Sequence, residues 1–138
     1  MNAGPIVVGL DGSDPSWAAL QHALRLSRAL GATLVAAFVP HDPAIAEFSA
    51  SALAADREIA ASIEATIRQK LTDTAPDIEL TVLGHGPPGA ELATHAFELH
   101  AEMIVVATRG HGLVRGSLLG SVAHHLVTHA KSPVLVVR

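Results

Sequence analysis

The sequence predicts an α/β protein: a five-stranded, mostly parallel sheet with four helices spread over both faces. Three observations predict it. Short apolar runs recur along the chain, the pattern of strands buried on both faces. Between them lie longer segments whose apolar residues are spaced by three or four, as on a helix packed against a sheet. The two alternate as βαβαβαβαβ, which builds a parallel sheet through crossover connections. A length of 138 residues with 49% hydrophobic content suits one compact domain over residues 1–138.

Pro5 to Leu10 (PIVVGL) reads as a short buried strand, closed by Asp11-Gly12-Ser13. Ser13 or Asp14 can cap a first helix, and Pro15 suits its first turn. Leu20, Leu24, Ser27 and Leu30 follow at helical spacing, and Gly31 is a suitable stop. Thr33 to Val39 is a second apolar strand, ended by Pro40 and Pro43; His41 to Phe48 fits neither pattern. Ile59, Ile63, Ile67 and Leu71 mark one face of a helix from about Ser51 to Thr72. Asp73 to Asp77 is a turn, after which Ile78, Leu80 and Val82 alternate with Glu79 and Thr81, as in a strand near a sheet edge. Gly86-Pro87-Pro88-Gly89 breaks the chain before a helix over about Ala90 to His100. Met103 to Ala107 is a buried strand, Val122 to Ala130 a fourth helix, and Pro133 to Val137 a last strand.

Such open sheets take ligands beyond the strand C-termini, where the strand order reverses. With order 3-2-1-4-5 the reversal falls between the first and fourth strands. The loops meeting there are Asp11-Gly12-Ser13 and Ala107 to Gly120. The second is glycine-rich and leads through Gly120-Ser121 into a helix, an arrangement that presents backbone N–H groups to anions. Charge agrees with this. All 13 acidic residues lie at or before Glu102, whereas Arg109, Arg115, Lys131 and Arg138 follow it. A phosphate-bearing ligand is therefore the leading reading.

Composition narrows the alternatives. A formal net charge of −4 argues against a general nucleic-acid or anionic-membrane binder. With no cysteine there is no disulfide, thiolate nucleophile or Cys-ligated metal. The N-terminus lacks a signal-peptide pattern and no apolar run reaches bilayer length, so a soluble cytoplasmic protein is expected. No Gly-Lys-Ser/Thr occurs, and glycines 110, 112 and 116 miss the dinucleotide fingerprint. No nucleophile elbow or triad is visible, and nothing marks a tuned general base. A dedicated enzyme is not expected, though slow ATP hydrolysis by a water beside the phosphates stays conceivable.

Residues 107–121 have the shape Ala107-x2-Gly110-x9-Gly120-Ser121, which resembles the G-x2-G-x9-G-S/T motif of the universal stress protein family. The likeness runs along the whole chain: Ile6 to Ser13, Gly86-x-Pro88-x3-Leu92, Ala101 to Gly112, Gly120-Ser121-Val122, and Ser132 to Val137. It implies the three-layer adenine nucleotide alpha hydrolase-like sandwich and a stress-response regulator that binds ATP, ADP or AMP, with Mg²⁺ an easy companion of the phosphates. Under that resemblance Gly9, Leu10 and Asp11 belong to the nucleotide site, with Asp11 contacting the adenosine moiety. Backbone near Val39 would meet the adenine edge, and Val106 and Ala107 would line the pocket. Gly110, Gly120, Ser121 and Val122 would hold the phosphates, and Arg109 would add a contact.

One position departs from the motif, since Ala107 replaces its first glycine. At negative φ the methyl costs only room beside the ligand. At positive φ it weakens binding by about 1 kcal/mol or more, roughly tenfold. Asp11 also has a plainer role available, as a helix cap or anchor of its own loop; Gly112 and Gly116 suit loop turns, and Arg115 a solvated surface. His125 and His129, four apart, are half of a zinc set without a nearby carboxylate, so no metal site is expected. Trp17 is read as a packing residue. The apolar edge strand invites pairing, and the resemblance implies a homodimer through Val134, Leu135, Val136 and Val137, with His124 and Leu126 of the last helix nearby. The alternative reading is a nucleotide-independent homodimeric interaction module of the same fold, or a weak ATPase.

Overall fold

The computed structural model describes residues 3–40, 50–84, 86–109 and 119–138. Their elements run β1 (Ile6–Gly9), α1 (Asp14–Leu30), β2 (Leu34–Phe38), α2 (Ala50–Thr74), β3 (Leu80–Val82), α3 (Pro88–Glu98), β4 (Met103–Ala107), α4 (Ser121–His129) and β5 (Val134–Val137). The strands form one parallel sheet in the order β3-β2-β1-β4-β5.

Alternation along each strand divides the core into two layers. Ile6, Val8, Ala36, Phe38 and Val105 face Trp17, Leu20 and Ala23 of α1 and Ile67 and Leu71 of α2. Val7, Ala37, Ile104 and Val106 face Leu92 and Ala96 of α3 and Ala123 and Leu126 of α4. With so few aromatics, the core is closed by small and branched residues, and Ile6, Val7, Val8, Ile104 and Val105 are all fully buried. Trp17 is buried at the edge of the first layer with the Lys70 ammonium 4.6 Å from its ring centroid, so it is a packing residue.

Boundaries shift where local chemistry decides them. Ser13, in extended conformation, is the N-cap of α1, and Gly31 ends that helix in the left-handed region. The third helix opens at Pro88, two residues before the expected Ala90, because proline fits a first turn that has no amide partner. Glu91 reinforces that start by accepting the Gly86 N–H at 3.0 Å. The same helix stops at Glu98; His100 lies beyond it with a left-handed φ of 51°. The third strand is only Leu80–Val82, with Ile78 still in the connection. His41 to Phe48, Arg115 and the glycines at 110, 112 and 116 lie outside the described residues.

Gly89 fixes how α3 and α4 meet. A Cβ there would lie 2.8 Å from His125 Cβ, so only glycine lets the two helices approach so closely. His125 in turn stacks on His129, with ring centroids 4.6 Å apart. Among the described residues no group of three or more His, Asp or Glu could hold a metal ion, and no helix is long and apolar enough to cross a membrane.

Candidate functional site

The sheet makes a crevice where its ladders end unequally. The last rung between β1 and β4 is Val8↔Val105, but β4 continues to Ala107, paired with Val137 of β5. Val106 and Ala107 therefore run on beyond the last β1 rung, on the side where strand order reverses. Between β1 and β2 the ladder closes with a bond from Leu10 N–H to the Ala37 carbonyl at 2.9 Å. No further rung to Val39 is made among the described residues. The result is a cavity of about 250 Å³ at the C-terminal edge of the sheet.

Its walls come from both layers. Gly9, Leu10 and Asp11 follow β1; Phe38, Val39 and Pro40 end β2; Val106, Ala107, Thr108 and Arg109 end β4. Gly120, Ser121, Val122 and Ala123 form the start of α4, Ser16 comes from α1, Ile63 from α2, and Pro88 and Leu92 from α3. The structure thus brings together every residue singled out for the site from the sequence, save Gly110, which lies outside the described residues. Gly9 earns its place by packing, since a Cβ there would lie 3.0 Å from Leu92 Cδ1 and 3.2 Å from Val106 Cγ1.

Sequence reasoning missed Ser16, Phe38, Pro40, Ile63, Pro88, Leu92 and Thr108. Ile63 lies on the helical stripe assigned to packing, and Pro88 in a loop read only as a chain break. Nothing in a linear pattern says that the upper turns of α2 and α3 overhang the strand ends. Ser16, 3% exposed, is the one buried polar residue in the described core.

Electrostatically the cavity is two-ended. Its charged lining groups among the described residues are Asp11 and Arg109. The start of α4 adds the positive end of a helix dipole. Gly120 is that helix's N-cap, in extended conformation and with no side-chain cap. Its own N–H donates to the Thr108 carbonyl, which ties the helix start to the end of β4. The first amides of α4 are thereby placed beside the crevice without an internal side-chain acceptor. Asp11 anchors its own loop, with Oδ1 accepting from Ser13 N–H at 2.9 Å and from the Ser13 hydroxyl, and it also lines the cavity. The cap of α1 is Ser13, not Asp11.

Ala107 resolves the question posed by its missing glycine. His100 is the one non-glycine residue with positive φ among those described, so Ala107 has ordinary strand geometry. The cavity stays open beside it and beside Arg109, whose side chain is exposed at the rim.

The sequence model of the universal stress protein family matches residues 3–138. The chain belongs to the universal stress protein family. Universal stress protein YxiE of Bacillus subtilis is 27% identical to it over 145 residues, spanning 96% of this chain and 97% of the relative. A universal stress protein solved in complex with cAMP superposes with a TM-score of 0.74 at 28% identity, covering 100% of this chain and 99% of that one. The universal stress protein of Archaeoglobus fulgidus in complex with dAMP gives 0.64 at 23% identity and full coverage of both chains, a likeness of fold. Within this universal stress protein fold, the strand order and the crevice between β1 and β4 are those expected from the sequence.

Edge positions are equally clear. β3 and β5 are the two outer strands. On β5, Leu135 is exposed, Val134 and Val136 are half-buried, and Val137 is buried. Leu126 corrects one expectation. It is fully buried, because it lies on the sheet-facing side of α4, and it is unavailable to a partner; the exposed apolar residue of that helix is Val127.

Proposed function

We propose that this protein is a stress-response regulator that binds an adenine nucleotide, ATP first among them, in the crevice between β1 and β4. The observation that carries the proposal is the start of α4: amides with no side-chain cap, opened by Gly120, at the rim of a cavity that also holds Asp11. Gly120, Ser121 and Val122 would take the phosphates through main-chain N–H groups, joined by Gly110 from the same motif. Arg109 would add charge at the rim, and Mg²⁺ would ride on phosphate oxygens and water. Val106 and Ala107 would flank the sugar, Gly9, Leu10 and Asp11 would close the opposite wall, and Val39 backbone would meet the base edge. The relative solved with cAMP supports an adenine nucleotide as the ligand class. Binding, rather than turnover, is the activity proposed, with occupancy shifting the population of states that a partner reads. A homodimer through β5 completes the proposal.

Mass analysis of ligand released from the denatured purified protein tests it, followed by titration with ATP, ADP, AMP and cAMP read by Trp17 fluorescence or calorimetry. Binding of at least one adenine nucleotide is expected. Gly120→Glu places a carboxylate where the phosphates would lie and should weaken ATP by at least about tenfold, the equivalent of 1.4 kcal/mol. No binding by the wild type, or unchanged affinity in Gly120→Glu, defeats the proposal. The first outcome leaves the interaction-module alternative standing.

A further inference from the structure

Ser13 touches the proposed site only through another residue. Its backbone N–H donates to Asp11 Oδ1 at 2.9 Å, and its hydroxyl donates to the same oxygen. Gly12, at a φ of 84°, makes the turn that brings residue 13 back onto residue 11. Ser13 Oγ also accepts from Ser16 N–H at 3.3 Å, while Ser16 Oγ donates to the Ser13 carbonyl at 2.8 Å. Buried Ser16 thus holds Ser13, and Ser13 holds Asp11. Asp11 lines the cavity and Ser13 does not.

Two donors on one oxygen fix the plane of a carboxylate that would otherwise rotate. A carboxylate offers about four acceptor directions. Fixing its plane aims the remaining ones, so a ligand hydroxyl meets an oriented acceptor without the cost of ordering it. The donors on a nucleotide that suit such an acceptor, at the end opposite the phosphate-facing amides, are the sugar hydroxyls. We infer that Ser13 is a positioning residue that clamps Asp11 to receive the ribose diol, making the site selective for ribonucleotides over sugars that lack it. The inference rests on the nucleotide reading above and adds the sugar as the selected group.

The test compares affinities for ATP and for 2′,3′-dideoxy-ATP in the wild type, Ser13→Thr, Ser13→Gly and Asp11→Ala. Glycine is a tolerable N-cap, so Ser13→Gly removes the hydroxyl with little cost to α1, and threonine restores it. The wild type and Ser13→Thr should prefer ATP by about tenfold or more, as a charge-assisted hydrogen bond allows. In Ser13→Gly and Asp11→Ala that ratio should fall below about two. A merely structural Ser13 would lower both affinities together and leave the ratio intact, and that result overturns the inference. So does a wild type that binds both nucleotides equally. A wild type that binds neither overturns the nucleotide reading itself, and the inference with it.

Discussion

At the residue scale, position 107 shows how a motif departure is judged by backbone geometry. A glycine in a phosphate-loop motif can be there for positive φ or for room. Ala107 sits in β4, in register with Val137, and its methyl packs against the α1 side of the core. The conformational reason is therefore absent, and only room remains at stake. Ala107→Gly should lose about 0.5–1 kcal/mol of stability in urea titrations, the ordinary cost of glycine inside a strand. Its affinity for ATP should stay within about threefold of the wild type by calorimetry. A gain of tenfold would show that the methyl obstructs the ligand. The same residue marks how far the sequence could be read here. The likeness of 107–121 to the motif was plain, but the sign of φ depends on where β4 ends, which only its pairing with β5 decides.

At the element scale, α3 and α4 bring the two sides of the crevice into contact. Gly89 lies in the first turn of α3, one residue after Pro88, which lines the cavity. It faces His125, in the second turn of α4, whose start also lines the cavity. Gly89→Ala improves intrinsic helix propensity by about 1 kcal/mol at most. It also drives a methyl to 2.8 Å from a side-chain carbon next to the α4 backbone, where little can yield. Overpacking of that kind costs about 1–3 kcal/mol. The net expectation is a lower urea midpoint with an unchanged slope, together with weaker ATP binding as α4 is displaced from the rim. A stabilised variant would show that the helices separate freely.

Elements with a strong repeat were legible: the stripe of Ile63, Ile67 and Leu71 and the runs of β1, β2 and β4 needed no tertiary information. Their junctions were less so. Pro88 begins a helix because Glu91 reaches back to Gly86, a side-chain bond that no spacing reveals. Leu126 was misplaced for a related reason: without the sheet's position, the inner and outer faces of a nine-residue helix look alike.

At the scale of the whole molecule, the remaining question is what the open edge of β5 does. Ile104 N–H donates to the Pro133 carbonyl, and Thr108 N–H to that of Val137. Odd-numbered positions of β5 therefore turn their peptide groups toward β4, and Val134 and Val136 direct theirs away from the sheet. Exposed Leu135, half-buried Val134 and Val136, and Val127 on the neighbouring helix supply apolar surface beside those groups. Such an edge is a template for another strand. If a second copy pairs there, the outward amides carry the contact, and removing one should matter more than trimming a side chain. Val136→Pro deletes an outward N–H while leaving every bond to β4 in place, and edge strands tolerate proline in that orientation. Sedimentation velocity at micromolar concentration should give a dimer for the wild type and a monomer for Val136→Pro, with ATP affinity per chain retained, since β5 contributes no residue to the cavity. A wild type that sediments as a monomer, or a proline variant that stays dimeric, removes β5 pairing from the account and leaves the nucleotide site to be judged on its own.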